Sequence, residues 1–333
     1  MKFYPYLQNL NDSKMIHLRI ILTYITLAAR KRLILKLLKF LYHKGTFRSF
    51  VKYLTSIYDP NNIRRRYLGK IKDIKIISSG IYGEIVELHL NQHVDYNYFI
   101  KGFFDSTLHQ VVKELNYKPS DTLIIDIGAN VGLVSISLAL KGFKVHAVEP
   151  LPEHIYKLER NLKLNSLSCP IIPFALSDED QSESILLHVP SGNSGASSFD
   201  KNYDFLGFST LAPTSVSVST LDSVLKNIFD PFKKLILKID VEGMEIQVLN
   251  GGAQTITRHR PIILMEWKSR TFDSSRGFKL NEFLNNYSYN IARIFLDTQN
   301  RIFVKDFFSY HFKCENIILT PKELNIRLPK ESN

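Results

Sequence analysis

Four groups of residues in this 333-residue chain have types and spacings suited to chemistry. The first is Asp126-Ile-Gly128-Ala-Asn130-Val-Gly132. Small residues in such a run let the backbone come close to a ligand, and Asn130 can take the positive φ that other loops give to glycine. The second is Glu149, 23 residues after Asp126. An acid at that distance accepts hydrogen bonds from ribose hydroxyls in a doubly wound fold. The third is Lys238, Asp240 and Glu242, which alternate with period two. An extended chain would point all three to one face, where they could do acid–base work on a substrate hydroxyl. The fourth is Glu266 beside Trp267. A nicotinamide fingerprint needs glycine at 128, 130 and 133, but Asn130 and Leu133 break it, and no Gly-Lys-Ser/Thr follows to make a phosphate loop.

These groups must be held by secondary structure, and the pattern supplies it. Residues 122–126, 144–149, 171–175, 235–240 and 261–267 read as strands. Residues 131–141, 152–164 and 242–257 read as helices, the last broken at Gly251-Gly252. Such alternation predicts an α/β fold with a doubly wound parallel sheet. Ligands bind at the carboxyl ends of the strands in such sheets, and Asp126, Glu149, Asp240 and Glu266 all sit at predicted strand ends. Helix N-terminal amides after the glycine run would face the ligand. Residues 291–296 and 316–319, joined through 301–311, suit a closing antiparallel hairpin. Upstream, residues 74–77, 84–90 and 96–100 read as short strands. The aromatic stretch 96–105 is either core or a lid.

Composition narrows the class further. The chain has 44% hydrophobic and 23% charged residues, which excludes disordered and collagenous classes. Its two cysteines, Cys169 and Cys314, exclude a disulfide framework and a cysteine-based zinc site and point to a reducing compartment. The net charge of +11 is concentrated at one end. Residues 1–70 hold 15 Lys/Arg against Asp12 and Asp59, a charge of +13, and the rest carries −2. The uncharged apolar run 20–29 is half the ~20 residues a spanning helix needs. Residues 28–43 have helical period, with Leu33, Ile34, Leu37, Leu38 and Leu41 opposite Arg32, Lys36, Lys39 and His43. That helix either packs on the main body or lies on an anionic surface. Residues 64–66 are a solvated arginine run without the aromatic interleaving of a nucleic-acid module. The expectation is a cytoplasmic protein, with peripheral membrane contact through the basic segment as its variant. The organisation expected is a basic helical region at 1–70, a small β-region at 71–120 and the main domain at 121–325.

The motif blocks also carry a resemblance. Asp126–Gly132 resembles the first motif of class I S-adenosylmethionine (SAM) methyltransferases. Seven blocks, from Asp126–Gly132 through Glu149-Pro150, Ala175-Leu-Ser-Asp178, Ser219-Thr220-Leu221-Asp222, Lys238-Ile-Asp240-Val-Glu242-Gly243 with Glu245, and Leu249-Asn-Gly251 to Glu266, resemble those of the FkbM family in order and spacing. The resemblance covers about 100–320 and leaves 1–70 aside. It implies a Rossmann-like methyltransferase domain with a terminal hairpin and SAM as cofactor. It also implies O-methylation of a hydroxyl on a sugar, glycoconjugate or secondary metabolite.

On this reading Asp126, Gly128, Asn130, Gly132, Glu149 and Asp178 bind the cofactor. Asp126 meets its amino group, Glu149 the ribose and Asp178 the adenine. The plainer roles are a cap on the glycine loop for Asp126 and a surface turn for Asp178. Asp240 or Glu242 is the base. Lys238 tunes a neighbour or holds a developing alkoxide, or else simply pairs with a carboxylate. Glu266, Trp267 and Ser194 are candidate substrate contacts, Ser194 because the Ser/Gly-rich stretch 190–210 could be a lid. Asp240, Glu242 and Glu266 could together hold Mg2+, but a metal-free site is expected. His154 could line the pocket but is given no role. A small-molecule or glycoconjugate acceptor is the expected partner. Two other readings remain open: an RNA-directed methyltransferase steered by the basic segment, and a non-catalytic binding module of the same fold.

Overall fold

The computed structural model describes residues 75–200, 210–226, 228, 232–267, 274–296, 301–306, 315–326 and 328–329. The basic helical region, the arginine run 64–66 and Cys314 lie outside the described residues.

An antiparallel hairpin comes first, β1 (Lys75–Ser79) against β2 (Ile85–His89). Helices α1 (His93–Lys101) and α2 (Thr107–Glu114) follow. The main fold then runs β3 (Thr122–Ile127), α3 (Leu133–Ala139), β4 (Lys144–Val148), α4 (Pro152–Leu164), β5 (Ile171–Ile172) and four short strands. These are β6 (Ala175–Ser177), β7 (Ile185–Leu187), β8 (Thr214–Val216) and β9 (Val218–Thr220). Next come α5 (Leu221–Leu225), β10 (Lys234–Ile239), α6 (Glu245–Asn250), α7 (Ala253–His259) and β11 (Ile262–Trp267). The chain closes with α8 (Ser274–Asn286), β12 (Tyr289–Leu296), β13 (Ile302–Asp306) and β14 (Glu315–Pro321).

Eight strands make the central sheet in the order β13-β12-β14-β11-β10-β3-β4-β5. The five from β11 to β5 are parallel, and β14 joins β11 antiparallel. Every residue of β3 is buried, as expected for a parallel strand covered on both faces. Alternate side chains go to opposite faces. Ile124, Ile236, Ile262 and Leu264 join one core with Leu133, Ile136 and Leu158 of α3 and α4. Leu123, Ile125, Leu237 and Ile263 join the other with Leu249, Ile256 and Phe283 of α6, α7 and α8. The same parity sends Asp126, Lys238 and Glu266 toward the first face. The doubly wound sheet and its closing hairpin are therefore as the sequence implies.

Three elements differ from the sequence reading. Residues 96–100 are helical, within α1. Tyr98 is its buried anchor and donates its hydroxyl to Glu84 Oε1 at 2.7 Å. Gly102, with φ 79°, ends the helix by donating its N–H to the Tyr98 carbonyl at 2.7 Å. The third expected strand, 171–175, is split. Only Ile171–Ile172 stays in the main sheet, and Ala175–Ser177 pairs instead with β9. Pro173, between them, has no N–H to continue the ladder. The connection through 301–311 contributes β13, an outer strand paired with β12.

The upstream piece packs on the main fold by sharing its core, through Val86, Leu88, Tyr98 and Leu108, and by polar contacts. The β2 backbone donates from Ile85 to Oδ1 of Asn165, the C-cap of α4, at 2.8 Å and from Glu87 to Oδ1 of Asn161 on α4 at 2.7 Å. Arg160 pairs with Glu87 at 2.6 Å. Among the described residues, no helix is long and apolar enough to cross a membrane.

Candidate active site

The glycine run folds back on the neighbouring strand. Gly128 and Ala129 both donate to the Val148 carbonyl, at 2.9 and 3.0 Å. Gly128 has φ 83°, and a Cβ there would lie 2.0 Å from the Asp240 carbonyl oxygen. Asn130 adopts φ 53°, the left-handed conformation expected of it. Its own Oδ1 accepts from Val131 N at 2.8 Å, and its backbone N–H donates to Glu149 Oε2 at 2.9 Å. The other Glu149 oxygen accepts from Leu151 N at 3.0 Å and faces His154 Nδ1 at 3.1 Å. Glu149 is thus buried and held by three groups, from the glycine loop, the N-cap of α4 and α4 itself.

The second pole is built from charges. Lys238 and Asp126 are Cα partners across the β10–β3 ladder. The Lys238 ammonium lies 3.5 Å from Asp126 Oδ1 and 3.3 Å from Asp240 Oδ2. Burial works to lower the Lys238 pKa, but the carboxylates of Asp240, Asp126 and Asp105 outweigh it and hold the pKa above its ordinary value. Lys238 is therefore a fixed cation. Asp126 also accepts from Ser135 Oγ at 2.6 Å, while its other oxygen, buried, has the Lys238 charge but no hydrogen bond. Past Ile239 the strand ends, and Gly243, at φ 98°, turns the chain. Asp240, Glu242 and Glu266 each bring one carboxylate oxygen to within 4.8 Å of the others. Gly243 N donates to Glu245 Oε1 at 3.1 Å, and Glu245 pairs with Arg276. Burial raises the Glu245 pKa and Arg276 works against it. The Arg276 guanidinium stands 4.9 Å over the Trp267 ring.

Between the two poles lies an open cleft. Of the residues expected at the site, Gly128, Asn130, Glu149, Ser194, Asp240 and Glu242 line it. Asp126, Gly132, Lys238, Asp178, Glu266 and Trp267 are not in its lining. Each has a physical reason. Asp126 and Lys238 are buried behind the loop as partners of one another. Gly132 faces α4, where a Cβ would meet Leu158 at 2.1 Å. Asp178 is exposed and takes the Ser177 hydroxyl at 2.9 Å. Trp267 is core, under Arg276. Glu266 reaches the acidic group from behind, off β11. Apolar Val148, Leu151, Phe174, Leu176 and Leu187 form the wall beside Glu149.

Sequence reasoning gave His154 no role, yet it lines the cleft, bonded to both Glu149 and Ser194. It missed Gln92, which accepts from Ser194 N and Oγ, both at 3.1 Å. It also missed Asp105, whose charge acts on Lys238. The only sequence signal for His154 was its position one turn into the helix after Glu149.

Residues 126–291, about half of the chain, match the model of the methyltransferase FkbM domain. A fungal protein named Methyltransferase 1, from Beauveria bassiana, is 27% identical over 147 residues, which are 40% of this chain and 59% of that one. Among solved structures, methyltransferase FkbM from Methylobacillus flagellatus is 17% identical, with a TM-score of 0.37, over 60% of this chain and 43% of that chain. A tRNA (uracil-54, C5)-methyltransferase from Pyrococcus abyssi, in complex with S-adenosyl-L-homocysteine, is 13% identical at TM-score 0.38, over 74% and 44%. The chain thus spans less than two thirds of the length of each of these three relatives. The match over 126–291 makes this chain a member of the FkbM methyltransferase family.

Proposed function

We propose that residues 121–325 form a SAM-dependent O-methyltransferase acting on a hydroxyl of a sugar, glycoconjugate or secondary metabolite. The observation that carries this reading is the cleft itself. Within the matched segment it sets one buried carboxylate, Glu149, beside an apolar wall, and a second carboxylate pair, Asp240 and Glu242, on the same cavity.

The residues fit the cofactor. A carboxylate has about four acceptor positions, and three of those on Glu149 are filled by Asn130, Leu151 and His154. The remaining one suits a ribose hydroxyl. Phe174 and Leu176 offer a slot for a flat base. When bound, SAM supplies an electrophilic methyl group on a sulfonium that leaves as a neutral thioether.

The chain then has three tasks. It must place the acceptor oxygen in line with the methyl–sulfur bond, take the hydroxyl proton and limit water. Asp240 Oδ1 or Glu242 takes the proton as general base. Lys238 stays protonated at Asp240 Oδ2 and keeps that carboxylate in place. This ammonium is outside the cleft lining, so we give it no direct contact with the acceptor oxygen. Ser194, Ser197 and Ser198 line the cleft and suit an acceptor rich in hydroxyls. Cytoplasmic location belongs to the same proposal and rests on the two cysteines, and contact of the +13 segment 1–70 with an anionic membrane rests on charge alone.

Titration calorimetry of the purified chain with S-adenosylhomocysteine tests the cofactor site, with labelled SAM and a hydroxyl-acceptor panel to follow. Binding that Glu149→Ala weakens supports the reading. Absence of binding by the unaltered chain at near-neutral pH overturns it.

A further inference from the structure

The loop 192–198 is fastened at both poles of the cleft. His93 N donates to the Gly192 carbonyl at 2.8 Å. Ser198 Oγ donates to the Glu242 carbonyl at 3.2 Å. Gly195 sits so close to the glycine run that a Cβ would lie 2.7 Å from Asn130 Nδ2 and 2.9 Å from Val94. The centre of the loop is Ser194. Its Oγ lies 2.8 Å from His154 Nε2 and 3.1 Å from Gln92 Oε1. On the other side of the ring, His154 Nδ1 lies 3.1 Å from Glu149 Oε1. The result is a continuous chain of polar contacts, Glu149–His154–Ser194–Gln92, spanning three separate segments.

We infer that His154 is a positioning residue that couples ligand binding at Glu149 to the docking of loop 192–198, and through it to the upstream segment at Gln92. The inference deepens the proposed function and rests on its assignment of Glu149 to a ligand hydroxyl. Its physical basis is donor and acceptor arithmetic. A carboxylate only accepts, so the Nδ1 side of His154 presents an N–H to Glu149. The Nε2 side meets the Ser194 hydroxyl, which also bonds Gln92 Oε1. Gln92 keeps its hold through the Ser194 backbone N–H. A ligand hydroxyl that donates to Glu149 completes the shell of a carboxylate already holding the ring. Fixing Glu149 thus fixes the ring, and fixing the ring fixes Ser194. Buried polar chains of this kind act as units. Here the unit joins the cofactor wall to the loop that also touches the acidic turn.

Hydrogen–deuterium exchange across 190–199 tests this on the full chain, with and without saturating S-adenosylhomocysteine. The unaltered protein is expected to exchange more slowly here when ligand is bound. His154→Ala is expected to speed exchange in the free protein by about 5-fold, the worth of one net hydrogen bond, and to abolish the ligand-dependent slowing although ligand still saturates. Ser194→Ala approaches the same contact from the partly exposed loop, so it separates loss of the chain from loss of folding. It should reproduce the uncoupling, with affinity for S-adenosylhomocysteine falling by no more than the factor of the lost slowing. A ligand-dependent slowing that survives both substitutions overturns the inference. So does an acceleration that is the same with and without ligand, the mark of a merely structural histidine. If the unaltered chain binds no S-adenosylhomocysteine, the proposed function fails. The exchange of the free protein and of the two variants then still decides whether His154 holds the loop.

Discussion

The two poles of the cleft hold their carboxylates by opposite means. Glu149 is a buried acid surrounded by donors, two backbone N–H groups and one imidazole, drawn from the glycine loop, the N-cap of α4 and α4 itself. Asp240 is one of three acids crowded within 4.8 Å, beside the buried Lys238 ammonium, which also serves Asp126. The first arrangement fixes an anion by geometry and has one acceptor position left for a neutral hydroxyl. The second sets three acids close together with the Lys238 ammonium beside them, and under the proposed function that crowding suits a site that must take up a proton. On that reading a binding acid and a reacting acid differ less in residue type than in the neighbours that hold them.

Four measurements would break or sharpen that contrast. The largest effect is expected for Asp240→Asn. Loss of a general base should lower kcat by about 10²–10⁴-fold while affinity for S-adenosylhomocysteine stays near that of the unaltered chain, read by turnover and calorimetry together. Lys238→Met comes next. Removing one partner of a buried ion pair costs about 3–5 kcal/mol, so urea unfolding should show a loss of that order. The sign with pH is defined. The folded pKa of Lys238 is raised above the ordinary 10.5, so its contribution is complete below that value and is lost only as pH rises beyond it. The Lys238→Met deficit should therefore be flat from about pH 6 to 9. Glu149→Ala leaves two backbone donors and His154 without their acceptor, and should weaken S-adenosylhomocysteine by about 10–100-fold with kcat at saturation much less affected. The smallest effect concerns metal. Turnover is expected to be unchanged by EDTA or added Mg2+. A strict metal requirement lost in Glu266→Gln would turn the acidic pole from a proton acceptor into a cation site.

The sheet and the binding pole were largely legible in the sequence because their determinants are local. Asn130 carries its own tolerance for positive φ, Pro152 marks the start of α4, and the buried strands are continuous apolar runs. Residues 96–100 were misread because a β-branched and aromatic run suits a strand. The helix is decided by Tyr98, which reaches Glu84, and by the left-handed Gly102. The split after Ile172 turns on Pro173, whose missing N–H breaks an otherwise apolar strand-like run. At the site, Lys238 and Asp240 do share a side, but the ammonium is turned inward to Asp126 by the β10–β3 register. Register is a property of two strands and is absent from either alone. Gln92 and Ser194 are 102 residues apart, so no local pattern could join them.

The close approach of Gly128 to Asp240 has a consequence for how such a protein can change. With no side chain at 128, the glycine run rests directly on the peptide that precedes the acidic turn. The two poles therefore share one backbone contact that acts as a fixed ruler between them. Widening it by a single methyl group would shift both ends at once, so under the proposed function acceptor length is not tuned there without disturbing the wall beside Glu149. On that reading, adaptation to new acceptors is left to the loops around the cleft, while the distance between its two poles stays the same.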